Sequence, residues 1–487
     1  MYTTIQAALT SIFSLLASAL WQAMERLGRG GVTYAIVGSL SPIKWFTPIQ
    51  ELPVELLHHI FLLACVPCQR HSRPLECMRA RCEGGGTSSL VLGRVCRDWR
   101  NVAWGLPDLW QRLDIIVTKT DHEDGFSRKV QLIKEWIQRA QGRLLTISVQ
   151  PPGKTYGGHS PHPIFDCLAL HSMQWKDLYL HTPDDCIQIL NSAARGRVPC
   201  LETLYVERDR GARRSKPPLD FIADAPSLQV LDYSEYHLPR AGTRNSWPRL
   251  VSLAADEGFG SIEALQLSCP NLQYLRFRDS EGNALSFPRT HFSRLKSLVI
   301  KKKFWPVKAF KAPALESFAI LDPPPDEFSF RDLRDLMDVS GCNLQAFGIL
   351  LRTAYEVESL QNLFLRMENI TNLYIGSYKA TDYHSLVRII PRMLDPGVSE
   401  DDHRGILLPK LEVLQYCTFD PIRSVHMVNM IKNRWHGVDG LKGTGIAKLR
   451  WVRFRKWKEE ILVERLKEEI EQGLRVTYDL SYEDDLF

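Results

Sequence analysis

The residues best suited to bind a metal lie close together between positions 65 and 82. Cys65, Cys68 and His71 are separated by two residues each, and Cys77 and Cys82 follow in a stretch rich in arginine and glycine. Zinc prefers four tetrahedral sulfur or nitrogen ligands, which this group could supply. However, Cys65 is predicted to lie within a helix, and the last two cysteines do not have the spacing of a zinc knuckle. We therefore expect free thiols, with no metal and no cofactor.

Basic side chains form three clusters that could contact nucleic acid or an acidic partner, or act as a nuclear signal. Five basic residues fall within 208–216, three lysines occupy 301–303, and tryptophan and phenylalanine alternate with arginine and lysine over 450–458. Such clusters are also typical of solvated loops and of strand edges that are protected by charge. The 61 basic and 56 acidic residues leave a net charge of only +5. Nucleic acid is therefore not the favoured partner.

Sequence motifs of common enzymes are missing. Residues 440–445 (Gly-Leu-Lys-Gly-Thr-Gly) are rich in glycine but lack the Gly-Lys-Ser/Thr ending that holds phosphates. Neither the Gly-x-Ser-x-Gly turn of hydrolases nor the His-Glu-x-x-His helix of zinc proteases occurs. We therefore expect a protein that is not an enzyme and has no catalytic residues.

One short phrase recurs along most of the chain. An apolar residue is followed by two variable residues, a second apolar residue, one variable residue and a third apolar residue. Most neighbouring copies are about 20 to 29 residues apart, which is the period of leucine-rich repeats. The copies span 175–180, 201–206, 228–233, 272–277, 295–300, 315–320, 344–349, 370–375, 411–416 and 449–454, with a weaker copy at 250–253.

The repeated phrase predicts a strand that cannot bury its apolar side chains alone. Stacked copies cover one another, and each fully buried large side chain contributes about 1.5–3 kcal/mol. The predicted fold class is therefore α/β, with residues 116–487 forming a leucine-rich-repeat-type solenoid of parallel strands with helices. A helix over 456–472 and a last strand over 474–478 are predicted to cap it.

Upstream of the repeats, two apolar segments predict a small helical domain over residues 45–115. The first starts at Leu52, where Pro53 suits the first helical position, and its apolar side includes Leu56, Ile60 and Phe61. The second is predicted as one helix over 90–104, with apolar residues at helical spacing that include Val95, Cys96 and Trp99. An inserted loop over 67–87 separates the two segments. A domain this small cannot bury all of these residues, which indicates an apolar partner.

This helical domain resembles the F-box family in three places. Residues 52–57 (Leu-Pro-Val-Glu-Leu-Leu) with Ile60 and Phe61 are similar to the opening helix of the family. Residues 95–99 (Val-Cys-Arg-Asp-Trp) are similar to its closing signature, and residues 105–110 (Gly-Leu-Pro-Asp-Leu-Trp) look like the segment that follows in fungal members. The F-box resemblance covers about 60 residues, and the trailing repeats extend it over most of the chain.

The resemblance implies a substrate-recruiting adaptor of an SCF-type ubiquitin ligase. The F-box would dock on a Skp-type adaptor and through it on the cullin scaffold, while the repeats would bind an unknown target protein. The alternative is a leucine-rich-repeat scaffold or sensor that acts outside any ubiquitin ligase. The residues that match partner-facing or core positions of the family are Leu52, Pro53, Leu56, Ile60, Phe61, Val95, Cys96 and Trp99.

The first 40 residues are predicted to form an amphipathic helix and a linker. Polar residues recur there at every fourth position, at Gln6, Thr10, Ser14, Ser18 and Gln22. We expect this helix to dock on the rest of the protein or on a partner, with membrane association through residues 1–25 as the alternative. The 11 scattered cysteines fit a reducing compartment, so cytoplasmic or nuclear localisation is expected.

Overall fold

The computed structural model describes residues 53–65, 89–118, 123–150, 161–208, 217–234, 236–238, 247–255, 262–277, 289–301, 307–321, 330–351, 357–377, 386–397, 407–417, 424–437, 446–455 and 463–479. The predicted N-terminal helix, Leu52 and the inserted loop over 67–87 lie outside these residues. The chain forms two compact units, one of Met1–Val149 with Gln174–Tyr179 and one of Gln150–Met173 with Leu180–Phe487. Among the helices of the described ranges, none combines the length and apolarity needed to cross a bilayer.

The helices are mostly short and alternate with strands along the sequence. Within the described ranges, single turns of 3₁₀ helix occur at Pro107–Trp110, Ser172–Gln174, Asp220–Ile222 and Val307–Ala309. The described α-helices are α1 (Val54–Ala64), α2 (Ser89–Leu92), α3 (Arg97–Gly105), α4 (Glu123–Arg139), α5 (His162–Ala169), α6 (Asp184–Ala193), α7 (Ile262–Ser268), α8 (Phe330–Ser340), α9 (Val357–Arg366), α10 (Leu386–Met393), α11 (Ser424–His436) and α12 (Lys467–Glu471).

The strands follow the repeated phrase. All ten full copies and the weaker copy form strands, which confirms that part of the prediction. The strands are β1 (Arg112–Ile116), β2 (Leu145–Gln150), β3 (Trp175–Thr182), β4 (Thr203–Arg208), β5 (Val230–Ser234), β6 (Ser252–Ala255), β7 (Tyr274–Phe277), β8 (Thr290–His291), β9 (Ser297–Lys301), β10 (Phe310–Lys311), β11 (Ser317–Leu321), β12 (Ala346–Leu351), β13 (Asn372–Ser377), β14 (Val413–Cys417), β15 (Trp451–Arg455) and β16 (Arg475–Asp479).

Fourteen of these strands form one long sheet, and β8 pairs with β10 in a separate ribbon. Within the long sheet the spatial order is the sequence order, with β9 next to β7 and β11 next to β9. The pairs from β4 to β16 whose register is known are all parallel. Parallel neighbours in sequence order are what a solenoid of stacked repeats requires.

The strand register places the same position of each repeat side by side. The middle apolar residue of one copy pairs with the middle apolar residue of the next, and in the copies from β4 to β15 these side chains are buried. The paired series runs Leu204, Leu231, Leu253, Leu275, Leu298, Phe318, Phe347, Leu373, Leu414, Val452 and Val476. Because each of these side chains covers the next, the buried apolar surface extends along the whole stack and is not confined to one central core.

The connecting helices complete the core through one apolar side. In α8, Phe330, Leu333 and Leu336 are buried at helical spacing, and Gly341 ends the helix with a φ of 59°. That left-handed conformation suits glycine, which has no side chain to clash. The hydroxyl of buried Ser340 accepts a hydrogen bond from the backbone N–H of Ala312 at 3.0 Å, which fixes the helix to the preceding repeat.

A buried arginine joins the longer repeat near the C-terminus. The guanidinium of Arg434, on α11, donates to the carbonyl oxygens of Leu394 (2.9 Å), Leu407 (2.6 Å) and Leu408 (3.0 Å). Its burial lowers the pKa to about 10, an effect that the nearby carboxylate of Asp395 partly opposes. Such a charge is tolerated in a core only when its donors are satisfied.

The predicted cap is described only in part. Residues 463–479 include α12 and β16, and β16 continues the sheet in parallel with β15 as predicted. Leu466 is fully buried, but it lies in a turn between helical residues 463–465 and α12, so the predicted single helix is interrupted there. The helix described here, α12, is shorter than the predicted span of 456–472, of which residues 456–462 lie outside the described ranges.

Candidate functional site

An aromatic pair is buried in the helical block (residues 53–65 and 89–118). The rings of Phe61, on α1, and Trp99, on α3, lie 4.8 Å apart between centroids at an angle of 56°. Phe61 is fully buried and Trp99 is 2% exposed. These two candidate residues are therefore core residues of the block, and the sequence alone did not separate them from partner-facing ones.

The second predicted helix is wrong as a single element. Instead of one helix over 90–104, a turn separates α2 from α3. Cys96 adopts an extended backbone before α3, and its sulfur accepts a hydrogen bond from the N–H of Trp99 at 3.4 Å. The Nε of Arg100 donates to the carbonyl of Gly93 at 2.7 Å. Gly93 disfavours helix, and these bonds give the turn its own partners, so the apolar periodicity did not reveal the break.

A stripe of apolar side chains on α1 is open to solvent. Leu56 and Leu63 are 50% and 59% exposed, and Ile60, between them at helical spacing, is half-buried. Pro53 is exposed and precedes the helix as its N-cap, not as its first helical residue, which corrects the predicted position. Side chains at i, i+4 and i+7 share one side of a helix. The stripe thus offers a contact surface that the core of the block leaves free.

A second group of exposed apolar residues lies on α2 and the turn that follows it. Leu90 and Val91 are exposed, and Val95 is 48% exposed. Cys96 is half-buried, between the exposed turn and the core. We call these residues together with the α1 stripe the module surface: Leu56, Ile60, Leu63, Leu90, Val91 and Val95. Exposed apolar residues in such numbers on a small block are typical of an interaction site.

Side chains that follow α3 in the sequence pack against the helical block and hold it in place. Trp110 is fully buried and donates from Nε1 to the carbonyl of Ala103 at 2.8 Å. Trp136, on α4, donates in turn to the carbonyl of Trp110 at 2.8 Å, and the two indole rings meet edge to face. The guanidinium of Arg139 lies 4.4 Å and 4.7 Å from the ring centroids of Trp104 and Trp110. These contacts hold α3 without using the module surface.

The predicted cysteine cluster can be examined only at Cys65. This residue follows α1, rather than lying inside it, and burial raises the pKa of its thiol to about 11. Zinc binds the thiolate, which such burial disfavours. Cys68, His71, Cys77 and Cys82 lie outside the described residues.

Two other groups in the described ranges bring possible metal ligands within 4.8 Å of one another. In the first, His162 Nε2 lies 2.6 Å from a carboxylate oxygen of Asp185, beside buried Cys186. In the second, buried Glu469 accepts from His436 Nε2 at 2.8 Å and has the ammonium of Lys432 at 3.7 Å. The close ammonium makes the second group an ion network.

The three basic clusters differ in their surroundings. Arg208 is buried and forms a two-pronged ion pair with Asp184, so it stabilises its repeat. Lys301 ends β9, and the rest of the first two clusters lies outside the described residues. In the third, Trp451 and Arg453 alternate with buried Val452 and Phe454 along β15. Only in this third cluster are several consecutive residues described, with Trp451 and Arg453 partly exposed.

Comparison with known proteins adds no argument about the fold or the function of this chain. No protein-family model matches the chain, and no curated protein sequence matches it. Among solved structures, the chain is similar to an internalin of Listeria monocytogenes, with 12% sequence identity and a TM-score of 0.31 over 81% of this chain and 93% of that chain. At that score the similarity carries no argument, and the repeat assignment rests on the strand register of this chain.

Proposed function

We propose that this protein is a substrate-recruiting adaptor of an SCF-type ubiquitin ligase. In this proposal the helical block docks on a Skp-type adaptor, which connects it to the cullin scaffold, and the repeats bind a target protein. In this proposal the chain acts by holding the target near the ligase. The resemblance of residues 52–61 and 95–110 to the F-box family supports the identity of the docking partner.

The observation that carries the proposal is the module surface. Among its described residues, the block keeps large apolar side chains exposed beside a core in which Phe61 and Trp99 are buried. Exposed apolar groups cost solvation free energy and are rarely retained together without a partner. A helical surface that offers alternate apolar anchors suits a helical partner, as in other helix-in-groove contacts.

The repeats support the second half of the proposal. A parallel solenoid buries one row of each strand, and the alternate row can vary wherever it stays exposed. In β9–β13 the alternate row is itself buried at Val299, Ala319, Leu321 and Tyr374, so a target-binding face must lie elsewhere on the sheet. In β4, for example, Leu204 and Val206 are buried while Tyr205 and Glu207 between them are partly exposed. Such a face can bind a target while the helical block binds the adaptor.

Co-purification with a Skp-type adaptor tests the proposal. The full chain is expected to retain the adaptor, and Leu56→Asp is expected to weaken that binding by about tenfold or more, because a charge replaces a central apolar anchor. Leu132→Asp is the matched control, since Leu132 is 62% exposed on α4 and lies outside the module surface. Val95→Asp is expected to act like Leu56→Asp.

Two results would contradict the proposal. If the intact chain does not retain the adaptor, the alternative of a repeat scaffold or sensor outside the ligase is favoured. If Leu56→Asp and Leu132→Asp retain it equally, the contact does not use the module surface. A variant at Phe61 or Trp99 is unsuitable for this test, because both residues support the core of the block.

A further inference from the structure

We infer that the module surface continues into three arginines and binds a partner helix that carries acidic side chains beside apolar ones; this inference rests on the proposed docking role of the block. We call Arg94, Arg97 and Arg100 the arginine stripe, and all three are exposed. Arg94 lies in the turn between α2 and α3, between Val91 and Val95 of the module surface. Apolar and basic side chains are therefore neighbours in this turn.

On α3 the arginines share one side of the helix with an exposed indole. Arg97, Arg100 and Trp104 follow one another at intervals of three and four residues, a spacing that places side chains on the same side. Trp104 is 41% exposed, and the guanidinium carbon of Arg100 lies 5.8 Å from its ring centroid. Asp98, the acidic residue of α3, is one and two positions away from these arginines and does not face them. This side of α3 is therefore basic and aromatic.

Packing at Gly93 holds this side of α3 against the turn. The Nε of Arg100 donates to the carbonyl oxygen of Gly93 at 2.7 Å. A Cβ at Gly93 would lie 3.3 Å from Trp104 Nε1 and 3.8 Å from Arg100 Cγ, so both side chains lie directly over the glycine. The bond uses one of the five N–H donors of the guanidinium, and a side chain held in this way loses less entropy when a partner binds.

Contacts among the described residues do not explain why Arg94 and Arg97 are basic. Within the described part of the chain, their side chains form no hydrogen bond and no ion pair. Arg97 is the first residue of α3, where the positive end of the helix dipole disfavours a cation, and Arg100 repeats the like charge three residues later. These positions cost stability in the free chain, and the same positive field favours an anionic group of a partner.

An acidic, amphipathic helix fits this surface better than a nucleic acid. Val91 and Val95 are exposed and need an apolar contact, which a phosphate backbone does not supply, while Arg94 beside them can bind a carboxylate. A helix with leucine on one side and glutamate at its margin offers both groups at neighbouring positions. Glu55, in the first turn of α1, carries the opposite charge, so the acidic margin of the partner should face α3 rather than α1.

Fluorescence anisotropy of the full chain with two labelled helical peptides tests the inference. Both peptides carry the same leucines on one side, and one has glutamate where the other has lysine. In low salt the intact chain is expected to bind the glutamate peptide about tenfold more tightly, and added salt should reduce that preference. Arg94→Gln with Arg97→Gln should remove the preference without weakening the binding of the lysine peptide.

Two further variants serve as controls. Arg195→Gln with Arg197→Gln removes the same charge from two other exposed arginines outside the block and should keep the full preference. Val95→Ala should weaken the binding of both peptides, because it removes part of the apolar contact. Thermal unfolding of Arg94→Gln with Arg97→Gln should occur at the temperature of the intact chain or above it, because a cation leaves the positive end of α3.

Three outcomes would overturn the inference. The first is a peptide result without the predicted pattern: no binding by the intact chain, equal binding of the two peptides, equal behaviour of the two double arginine variants, or no effect of Val95→Ala. The second is a lower unfolding temperature of Arg94→Gln with Arg97→Gln, which would assign these arginines to the fold. The third is tighter, stripe-dependent binding of a single-stranded RNA. The peptides contain no adaptor, so their result and the co-purification result are independent, and either can fail alone.

Discussion

The helical block and the middle positions of the repeat strands differ in how far their large apolar side chains are exposed. In the repeats, the paired series from Leu204 to Val452 is buried throughout, because each strand covers its neighbour. In the block, Leu56, Leu63 and Val95 are about half exposed, beside the buried Phe61 and Trp99. The difference shows that burial of apolar side chains gives cohesion in the repeats, whereas in the block the exposed ones are available for the contact that we propose.

Replacing a leucine by aspartate in each region tests this difference with the largest expected effect. Leu298→Asp places an unpaired charge in the stack between β7 and β11 and is expected to lower the free energy of unfolding by about 4–5 kcal/mol or more. Leu56→Asp is expected to change it by about 1 kcal/mol or less, because that side chain is half exposed. Urea denaturation of both variants measures the difference. Similar losses would show that the block, too, depends on these residues for cohesion.

Arg434→Met tests whether the repeats tolerate a buried charge only because its hydrogen bonds are complete. Removing the guanidinium leaves three carbonyl oxygens without this donor and Asp395 without its nearby cation. We expect a loss of about 3 kcal/mol in the free energy of unfolding. Arg366→Met is the control, because its ion pair with Asp338 is exposed and should contribute about 0–1 kcal/mol. Equal stability of the two variants would argue against the network.

Cys96→Ala tests whether the break between α2 and α3 is held locally. The sulfur of Cys96 caps α3 by accepting from the N–H of Trp99. Its loss should cost about 1 kcal/mol, whereas Cys96→Ser, which keeps an acceptor at the cap, should retain the stability. Thermal unfolding of the three proteins separates these outcomes. If alanine and serine behave alike, the cap contributes nothing to the turn.

The pH dependence of the C-terminal cap should give the smallest effect. Burial tends to raise the pKa of Glu469, but hydrogen bonds from His436 and the backbone, with nearby Lys432, lower it below its ordinary value. A carboxyl with a lowered pKa stabilises the fold above the unfolded value of about 4.3, and this contribution disappears as the pH falls through the folded value. Acid titration of stability should therefore show a smaller loss for Glu469→Gln than for the intact chain. If stability falls equally with pH in both proteins, Glu469 does not contribute to the pH dependence.

The sequence predicted the repeats well because their information is local. Each copy carries its own apolar spacing, and the strand register follows from repeating it. The Arg434 network was not predictable in the same way, since its three acceptors lie 26 to 40 residues away in sequence. Strand β1 was also missed, because residues 112–116 precede the first copy of the phrase.

The sequence predicted the candidate docking residues as a group, but it did not show which of them are buried and which are exposed. Phe61 and Leu56 are five residues apart on one helix and have the same apolar character, yet one is buried and the other exposed. The break at Gly93–Cys96 preserves helical spacing on both sides, so periodicity could not locate it. Whether a side chain lies in the core depends on the packing of α1 against α3, which a single sequence does not encode locally.

Hydrogen–deuterium exchange of the full chain with and without a Skp-type adaptor tests the central claim most directly. If the exposed apolar residues of the block form the contact, adaptor binding should slow exchange in α1 and in residues 89–96, while β9 and β11 keep their rates. Slower exchange confined to the repeat strands, with α1 unchanged, would contradict the claim that the adaptor binds the block and not the repeats.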